Sequence, residues 1–147
     1  MAEEAAAGVP RPVVSFLKIP ERGDPYLEGQ RCRKCSAIFL GERETCASCG
    51  TRDQLEPQKL ANTGTLYVYS IVHRSFPGIE VPYVSAIVDL DGGGTVKGNL
   101  INVEPDPEKV TMGMPVEVIY QVAPRKDRDG NEYLTYYFQP RAEESGR

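Results

Sequence analysis

The second half of the chain alternates between apolar and polar positions with the period of two that is typical of β-strands. The clearest case is residues 83–90, where every second side chain is apolar and the positions between them include Ser85 and Asp89. Residues 65–72 are rich in β-branched and aromatic side chains, so we expect a second strand there. The expected buried faces of these two strands consist of Val84, Ala86, Val88 and Leu90, and of Leu66, Val68 and Val72.

Turn residues separate three further apolar segments. Asp91 and the three glycines after it predict a tight turn, because glycine adopts positive φ without strain, and residues 95–103 then return as a partner strand. A fourth strand is predicted at residues 116–122, entered through Gly113, and a fifth at residues 134–138, after the turn at Asp129 and Gly130. Five short strands favour a small closed barrel of the five-stranded OB-fold type, with an open sandwich as the alternative.

The first part of the chain lacks this alternation and contains few bulky apolar residues. We therefore divide a mostly β chain into four parts: a disordered tail at residues 1–12, an N-terminal segment and cysteine-containing ribbon at 13–60, the OB-fold barrel at 61–140, and a second tail at 141–147. Pro20 and Pro25 interrupt the segment before the cysteines, so any helix there is short.

Cys32, Cys35, Cys46 and Cys49 form two Cys-X-X-Cys motifs separated by ten residues. Each motif can form a knuckle that directs two sulfurs to one metal ion, and two knuckles complete a tetrahedron. Gly50 follows the second knuckle, where positive φ lets backbone N–H groups turn toward sulfur. Because all four positions are then filled by protein, we predict a structural, rubredoxin-like zinc ribbon. Iron remains the alternative metal, and two disulfides or free thiols are the alternatives to a metal.

Composition and charge narrow the classes of function. The 147-residue chain has a net charge of −4, and residues 64–124 contain seven acidic and three basic side chains, which disfavours binding to nucleic acid through phosphate contacts. No segment approaches the roughly 20 apolar residues that a membrane span needs. Glu3 and Glu4 lie where a secretory signal carries positive charge, so we expect a cytoplasmic protein. A reducing compartment favours metal binding over disulfides.

The sequence offers no self-sufficient catalytic site, so we predict no catalytic residue. The single histidine, His73, follows the first barrel strand and is either a general base, a ligand contact or a partly exposed strand-end residue. Tyr133, Tyr136 and Tyr137 could stack bases on the barrel, or belong to its core or to an interface. A single-stranded nucleic-acid-binding module and an iron-containing, rubredoxin-like electron carrier are therefore alternative functions.

The two halves together resemble the acyl-CoA-associated family of small zinc-ribbon/OB-fold proteins, which was formerly known as a domain of unknown function. The segments that carry the resemblance are GQRCRKC, CASCG, GTLYVYS, PYVSAIVDL and GMPV, which are residues 29–35, 46–50, 64–70, 82–90 and 113–116. Two features depart from the family: Ser36 follows the first knuckle where such ribbons often have glycine, and the amphipathic helix usual before the ribbon is not evident.

The resemblance implies a catalytic partner. Members of the family associate with thiolase-like enzymes, or with acyl-CoA hydratases and aldolases, and the larger subunit carries the catalytic Cys and His. Within the family, the chain is similar to the small subunit of 2-benzoylsuccinyl-CoA thiolase, which acts in aromatic degradation. We therefore expect a non-catalytic accessory subunit with structural Zn²⁺, bracing a thiolase-like subunit and its substrate entrance, with a CoA thioester as the substrate of the complex. Candidate contacts with the partner or the acyl-CoA are His73, Arg74, Phe76 and Tyr83, although their loop could instead be a mobile hairpin connection.

Overall fold

The computed structural model describes residues 10–142. Within this range the chain forms ten strands and no helix, and therefore no helix that could cross a membrane. The strands are β1 (Arg11–Pro12), β2 (Leu17–Lys18), β3 (Tyr26–Cys32), β4 (Ile38–Leu40), β5 (Leu55–Lys59), β6 (Thr63–Val72), β7 (Tyr83–Leu90), β8 (Thr95–Leu100), β9 (Pro115–Val122) and β10 (Tyr133–Pro140). Strands β2 to β5 build the ribbon lobe, and β6 to β10 build the second lobe.

The second lobe is a closed five-stranded barrel with the strand order β6-β7-β8-β10-β9. Neighbouring strands are antiparallel except β8 and β10, which run parallel and meet at Leu100 and Phe138. The barrel closes where residues 63–65 of β6 pair with residues 115–117 of β9. This arrangement confirms the predicted OB-type barrel. Strand β8 ends at Leu100, before the predicted end at residue 103.

The predicted inward face of β6 is wrong beyond Leu66. The pairing of β6 with β7 shifts register between Leu66 and Val68, which marks a β-bulge. A bulge inserts one residue and moves the following side chains to the other face of the sheet. Tyr69 and Ile71 consequently pack against the core in place of Val68 and Val72. On β7, which has no such shift, all four predicted inward residues are buried.

The two lobes share one hydrophobic core. Leu17, Leu27 and Leu60 of the ribbon lobe belong to the same buried cluster as the inward residues of the barrel. Tyr120 on β9 donates a hydrogen bond from its hydroxyl to Asn62 Oδ1 at 2.7 Å, just before β6 begins. Burial raises the pKa of Tyr120 to about 12. The shared core therefore holds the ribbon lobe at a defined position on the barrel.

Both predicted tails fall mainly outside the described residues, but their inner ends are structured. Arg11 and Pro12 form β1, which pairs with Tyr133 and Leu134 of β10. Backbone bonds from Arg11 N to Glu132 O and from Val13 N to Leu134 O, at 3.0 and 2.9 Å, fix this pairing. Residues 11 and 12 of the predicted tail are thus paired with the barrel. The sequence did not reveal this pairing, because a strand of two residues has no periodicity.

Candidate metal centre and interaction loop

Strand β3 is the centre of the ribbon lobe and ends at the first cysteine. It pairs antiparallel with β4 on residues 29–31 and with β5 on residues 28–32, so Cys32 lies opposite Leu55. The second knuckle is held by an antiparallel bridge between Thr45 and Arg52. The sheet and the bridge thereby bring together two cysteine pairs that are separated by ten residues.

The four cysteine sulfurs form a compact cluster, and all lie within 4.8 Å of one another. Cys32 Sγ is 3.7 Å from Cys49 Sγ, and Cys35 Sγ is 3.5 Å from Cys46 Sγ. A tetrahedral zinc ion with Zn–S bonds of about 2.3 Å requires sulfurs about 3.8 Å apart. The spacing fits such an ion and is far longer than the roughly 2.05 Å of a disulfide bond.

The two knuckles have the same backbone geometry. Ser36 N donates to Cys32 O at 2.8 Å, and Gly50 N donates to Cys46 O at 2.9 Å. Ser36 and Gly50 accordingly both adopt positive φ, at 71° and 79°. The serine that departs from the family pattern therefore occupies the position where glycine would relieve backbone strain.

Hydrogen-bond donors surround the sulfurs of the second knuckle. The backbone N–H groups of Cys49 and Ser48 each lie 3.4 Å from Cys46 Sγ and lower the pKa of that thiol. The Cys49 thiol donates to Thr51 Oγ1 at 3.1 Å, and once ionised its sulfur can accept from the same hydroxyl. The Thr51 hydroxyl and the Thr51 backbone N–H lower the pKa of Cys49 to about 6. These donors favour the thiolate form that a metal ion requires.

At the first knuckle the pKa shifts in the opposite direction. The backbone N–H of Ala37 lowers the pKa of Cys35, but burial and the neighbouring sulfurs outweigh it and raise that pKa to about 11. Four thiolates at this spacing repel one another, so the fully ionised set is stable only around a positive charge. With four protein sulfurs around it, such an ion would have no open position for substrate, which is typical of a structural site.

The loop of residues 73–82, between β6 and β7, is exposed along its whole length. Phe76 is 79 % exposed, and Ile79 and Val81 are also exposed although both are large and apolar. The loop is supported at Gly78, whose positive φ and missing side chain let the Arg125 guanidinium lie against its backbone. We call this segment the apolar loop.

A groove of about 610 Å³ lies beside the apolar loop. Tyr83 and Ile79 line it, together with Asn99, Arg125 and Tyr137. Of the four predicted contact residues, Tyr83 therefore faces this groove, whereas His73, Arg74 and Phe76 are exposed without lining it. Sequence reasoning did not place Arg125 and Tyr137 beside this loop, because only closure of the barrel brings β10 and the connection before it next to the apolar loop.

The three tyrosines of β10 do not form one stacking surface. Tyr136 points toward the core, where its ring contacts Phe16 and Phe138 at centroid distances of 6.0 Å. Tyr133 donates its hydroxyl hydrogen bond to Asp127 at 3.0 Å, and Tyr137 lines the groove. Alternation along the strand thus directs Tyr136 to the core face, away from Tyr133 and Tyr137 on the opposite face.

Comparison with known proteins gives matches over both lobes. Residues 57–121 match the C-terminal OB-fold domain of ChsH2. A DUF35 domain-containing scaffold protein of Methanocaldococcus jannaschii is 34% identical over 130 residues, which cover 87% of this chain and 89% of that protein. The benzoylsuccinyl-CoA thiolase subunit BbsA of Thauera aromatica is 29% identical over 125 residues, covering 84% of this chain and 83% of that protein. A solved structure, the Ltp2-ChsH2(DUF35) aldolase, has a chain that is 28% identical and aligns with a TM-score of 0.59, over 78% of this chain and 84% of that chain.

Proposed function

The chain belongs to the DUF35 family, and we propose that it is a non-catalytic, zinc-containing scaffold subunit of a heteromeric enzyme that acts on acyl-CoA. The proposed partner is a thiolase-like catalytic subunit. The observation that carries the proposal is the similarity to BbsA, a benzoylsuccinyl-CoA thiolase subunit, which extends over 125 residues and thus over both lobes. In this protein Cys32, Cys35, Cys46 and Cys49 would hold the zinc ion.

The chemistry of the chain supports a non-catalytic role. Its four cysteines all belong to the metal cluster, so none is left to act as a nucleophile. Its single histidine, His73, lies on the exposed apolar loop. A thiolase reaction needs a cysteine that accepts the acyl group and a base that activates it, and we assign both to the partner.

We propose that the apolar loop contacts the catalytic subunit. Phe76, Ile79 and Val81 are exposed apolar side chains of this loop. Arg74 lies in the loop, and Arg125 lies against it at Gly78. Aromatic and arginine side chains are enriched among residues that contribute most to interfaces. The groove below the loop, with Tyr83 at its edge, would then lie at the entrance for the acyl-CoA substrate.

Affinity purification of the tagged protein from its host tests the proposal. We expect a thiolase-like subunit to elute in a fixed stoichiometric ratio, and CoA-dependent thiolysis by that subunit to require this chain. Elution without such a partner, or full activity of the catalytic subunit alone, would contradict the proposal.

Variants of the apolar loop test its role in the complex. Replacing Arg74 and Phe76 with alanine should weaken binding of the purified catalytic subunit at least about tenfold, as expected when interface anchors are truncated. Lys109→Ala, an exposed substitution in the β8–β9 connection, is the matched control and should bind normally. Equal titration curves for the loop variant and the control would remove the loop from the interface.

An aldolase partner is the second candidate. It is favoured by the similarity to a chain of the Ltp2-ChsH2(DUF35) aldolase, which covers both lobes as well. The two candidates differ in the reaction of the purified complex: an aldolase cleaves a β-hydroxyacyl-CoA without free CoA, whereas a thiolase cleaves a β-ketoacyl-CoA only when CoA is present.

A further inference from the structure

Strand β6 is the longest strand of the described chain, but only its first half has neighbours on both sides. On the β9 side, its pairing covers residues 63–65 and continues as far as Leu66, which exchanges backbone bonds of 3.0 and 2.7 Å with Met114 O and Gly113 N. Beyond this point Tyr67 is the extra residue of the bulge, and residues 68–72 pair with β7 alone among the residues that the structure describes. Half of their backbone N–H and C=O groups therefore face away from the barrel along a free sheet edge.

Beyond the bulge at its start, this free edge lacks the charged residues and prolines with which proteins normally protect one. Residues 68–72 contain no charged side chain and no proline. The five residues from Val68 to Val72 keep an unbroken register with β7. Next to the edge, Tyr67 and Met112 are 64 % and 61 % exposed. An uncharged, regular edge flanked by exposed apolar side chains is a surface that accepts another strand.

The sequence of the edge is nearly symmetric about its central residue, Ser70. In the segment Val-Tyr-Ser-Ile-Val, an antiparallel copy centred on Ser70 would place Val68 opposite Val72, Tyr69 opposite Ile71, and Ser70 opposite Ser70. Pairs of β-branched, aromatic–β-branched and hydroxyl side chains are favourable cross-strand neighbours.

A twofold axis at Ser70 also matches the backbone. In this arrangement the two residues of each pair are an even number of positions apart in sequence. Alternate residues of a strand direct their backbone N–H and C=O groups to the same side, so outward-facing backbone groups of one copy meet outward-facing backbone groups of the other. Outside the five-residue segment, Tyr67 would lie opposite His73, and Leu66 opposite Arg74, so no like charges oppose each other. The edge is thus complementary to itself, as a twofold interface requires.

We infer that this edge joins two copies of the chain, with β6 of one protomer pairing antiparallel with β6 of the other about a twofold axis at Ser70. The two barrels then share one continuous sheet, and the two apolar loops, which begin at the end of each β6, remain available for other partners. The inference does not depend on the identity of the catalytic subunit.

Sedimentation equilibrium of the zinc-loaded protein over a range of concentrations tests this dimer. Ser70→Lys would place two like charges opposite each other at the axis and should raise the dimer dissociation constant at least about tenfold. Thr65→Lys, which adds the same charge to an exposed position in the fully paired half of β6, is the matched control and should dimerise normally. Equal thermal unfolding of the two variants shows that Ser70→Lys does not act through the fold.

A charge-swap experiment separates pairing at the axis from a general effect of charge. Ser70→Lys and Ser70→Glu proteins should each remain monomeric but form a dimer when mixed, because the axis pair then has opposite charges. The inference is overturned if the wild-type protein has the mass of one chain at all concentrations, or if Ser70→Lys dimerises like the control. Loss of binding to the catalytic subunit in Ser70→Lys, with a monomeric wild-type protein, would instead assign the edge to that partner.

Discussion

Gly64 lies where the barrel closes, and its replacement by alanine tests the packing of that closure. Gly64 pairs with Leu90 of β7 on one side and with Val116 of β9 on the other. Its φ is not positive, so the backbone conformation itself does not require glycine. A Cβ atom at this position would lie 2.9 Å from Leu90 Cα and 3.0 Å from the backbone carbon of Asp89, and closer still to the Asp89 carbonyl oxygen. The close approach of β6 and β7 is therefore the reason that position 64 is a glycine.

The expected cost follows from how far β6 and β7 must separate. Carbon atoms prefer about 3.5 Å or more, so the strands must move apart by roughly 0.5–1 Å. A shift of this size stretches the bond from Asp91 N to Thr63 O, now 2.8 Å, toward the limit for a hydrogen bond. Overpacking costs about 1–3 kcal/mol, and a weakened backbone bond adds about 1 kcal/mol. We expect Gly64→Ala to lower the free energy of unfolding by about 3 kcal/mol.

Urea unfolding with excess zinc, followed by circular dichroism, measures this change. Gly92→Ala is a suitable control, because its Cβ would meet no atom within 4 Å and its cost, about 1–2 kcal/mol, would come from a φ of 84° alone. A loss for Gly64→Ala no larger than that of Gly92→Ala would refute the argument from close approach at the barrel closure.

Three further predictions concern the cysteine cluster and the hydrogen bond between Tyr120 and Asn62. Thr51→Val removes the hydroxyl next to Cys49 Sγ and should speed zinc transfer to a chelator by about tenfold, whereas Thr51→Ser should release zinc at the wild-type rate. Equal rates for all three proteins would show that the Thr51 hydroxyl does not help to retain zinc. Ser36→Gly should relieve the strain of a φ of 71° and raise the free energy of unfolding by about 0.5 kcal/mol after the entropy cost of glycine, and an unchanged melting temperature would contradict this. Tyr120→Phe should lose about 1 kcal/mol at pH 7 with the hydrogen bond to Asn62. The pKa of Tyr120 is raised from 10.0 to about 12 in the folded state, so its stabilising effect is complete below pH 10 and is lost as the pH rises to 12. Urea unfolding should therefore show a smaller difference in the free energy of unfolding between the wild-type and Tyr120→Phe proteins at pH 12 than at pH 8.

The sequence by itself determined the features that depend on local chemistry. Alternation along β7 was sufficient to predict both its bounds and its buried face, because each residue of a regular strand is related to the next by a fixed period. The spacing of the cysteines was sufficient to predict that the four sulfurs form one cluster, because each Cys-X-X-Cys knuckle places two sulfurs together and two knuckles can share one metal ion. The same reasoning failed on β6, where a single inserted residue at the bulge reversed the faces and no residue type marks its position.

Only the tertiary structure determined which segments that are distant in sequence contact each other. Closure of the barrel brings Arg125 and Tyr137 beside the apolar loop, and the limited pairing of β9 leaves the second half of β6 with a free edge. Pairing of β9 with the start of β6 brings Tyr120 to Asn62, across 58 residues of chain. Contacts of this kind depend on strand order and register, which are set by the packing of the whole core and have no signature in any one segment.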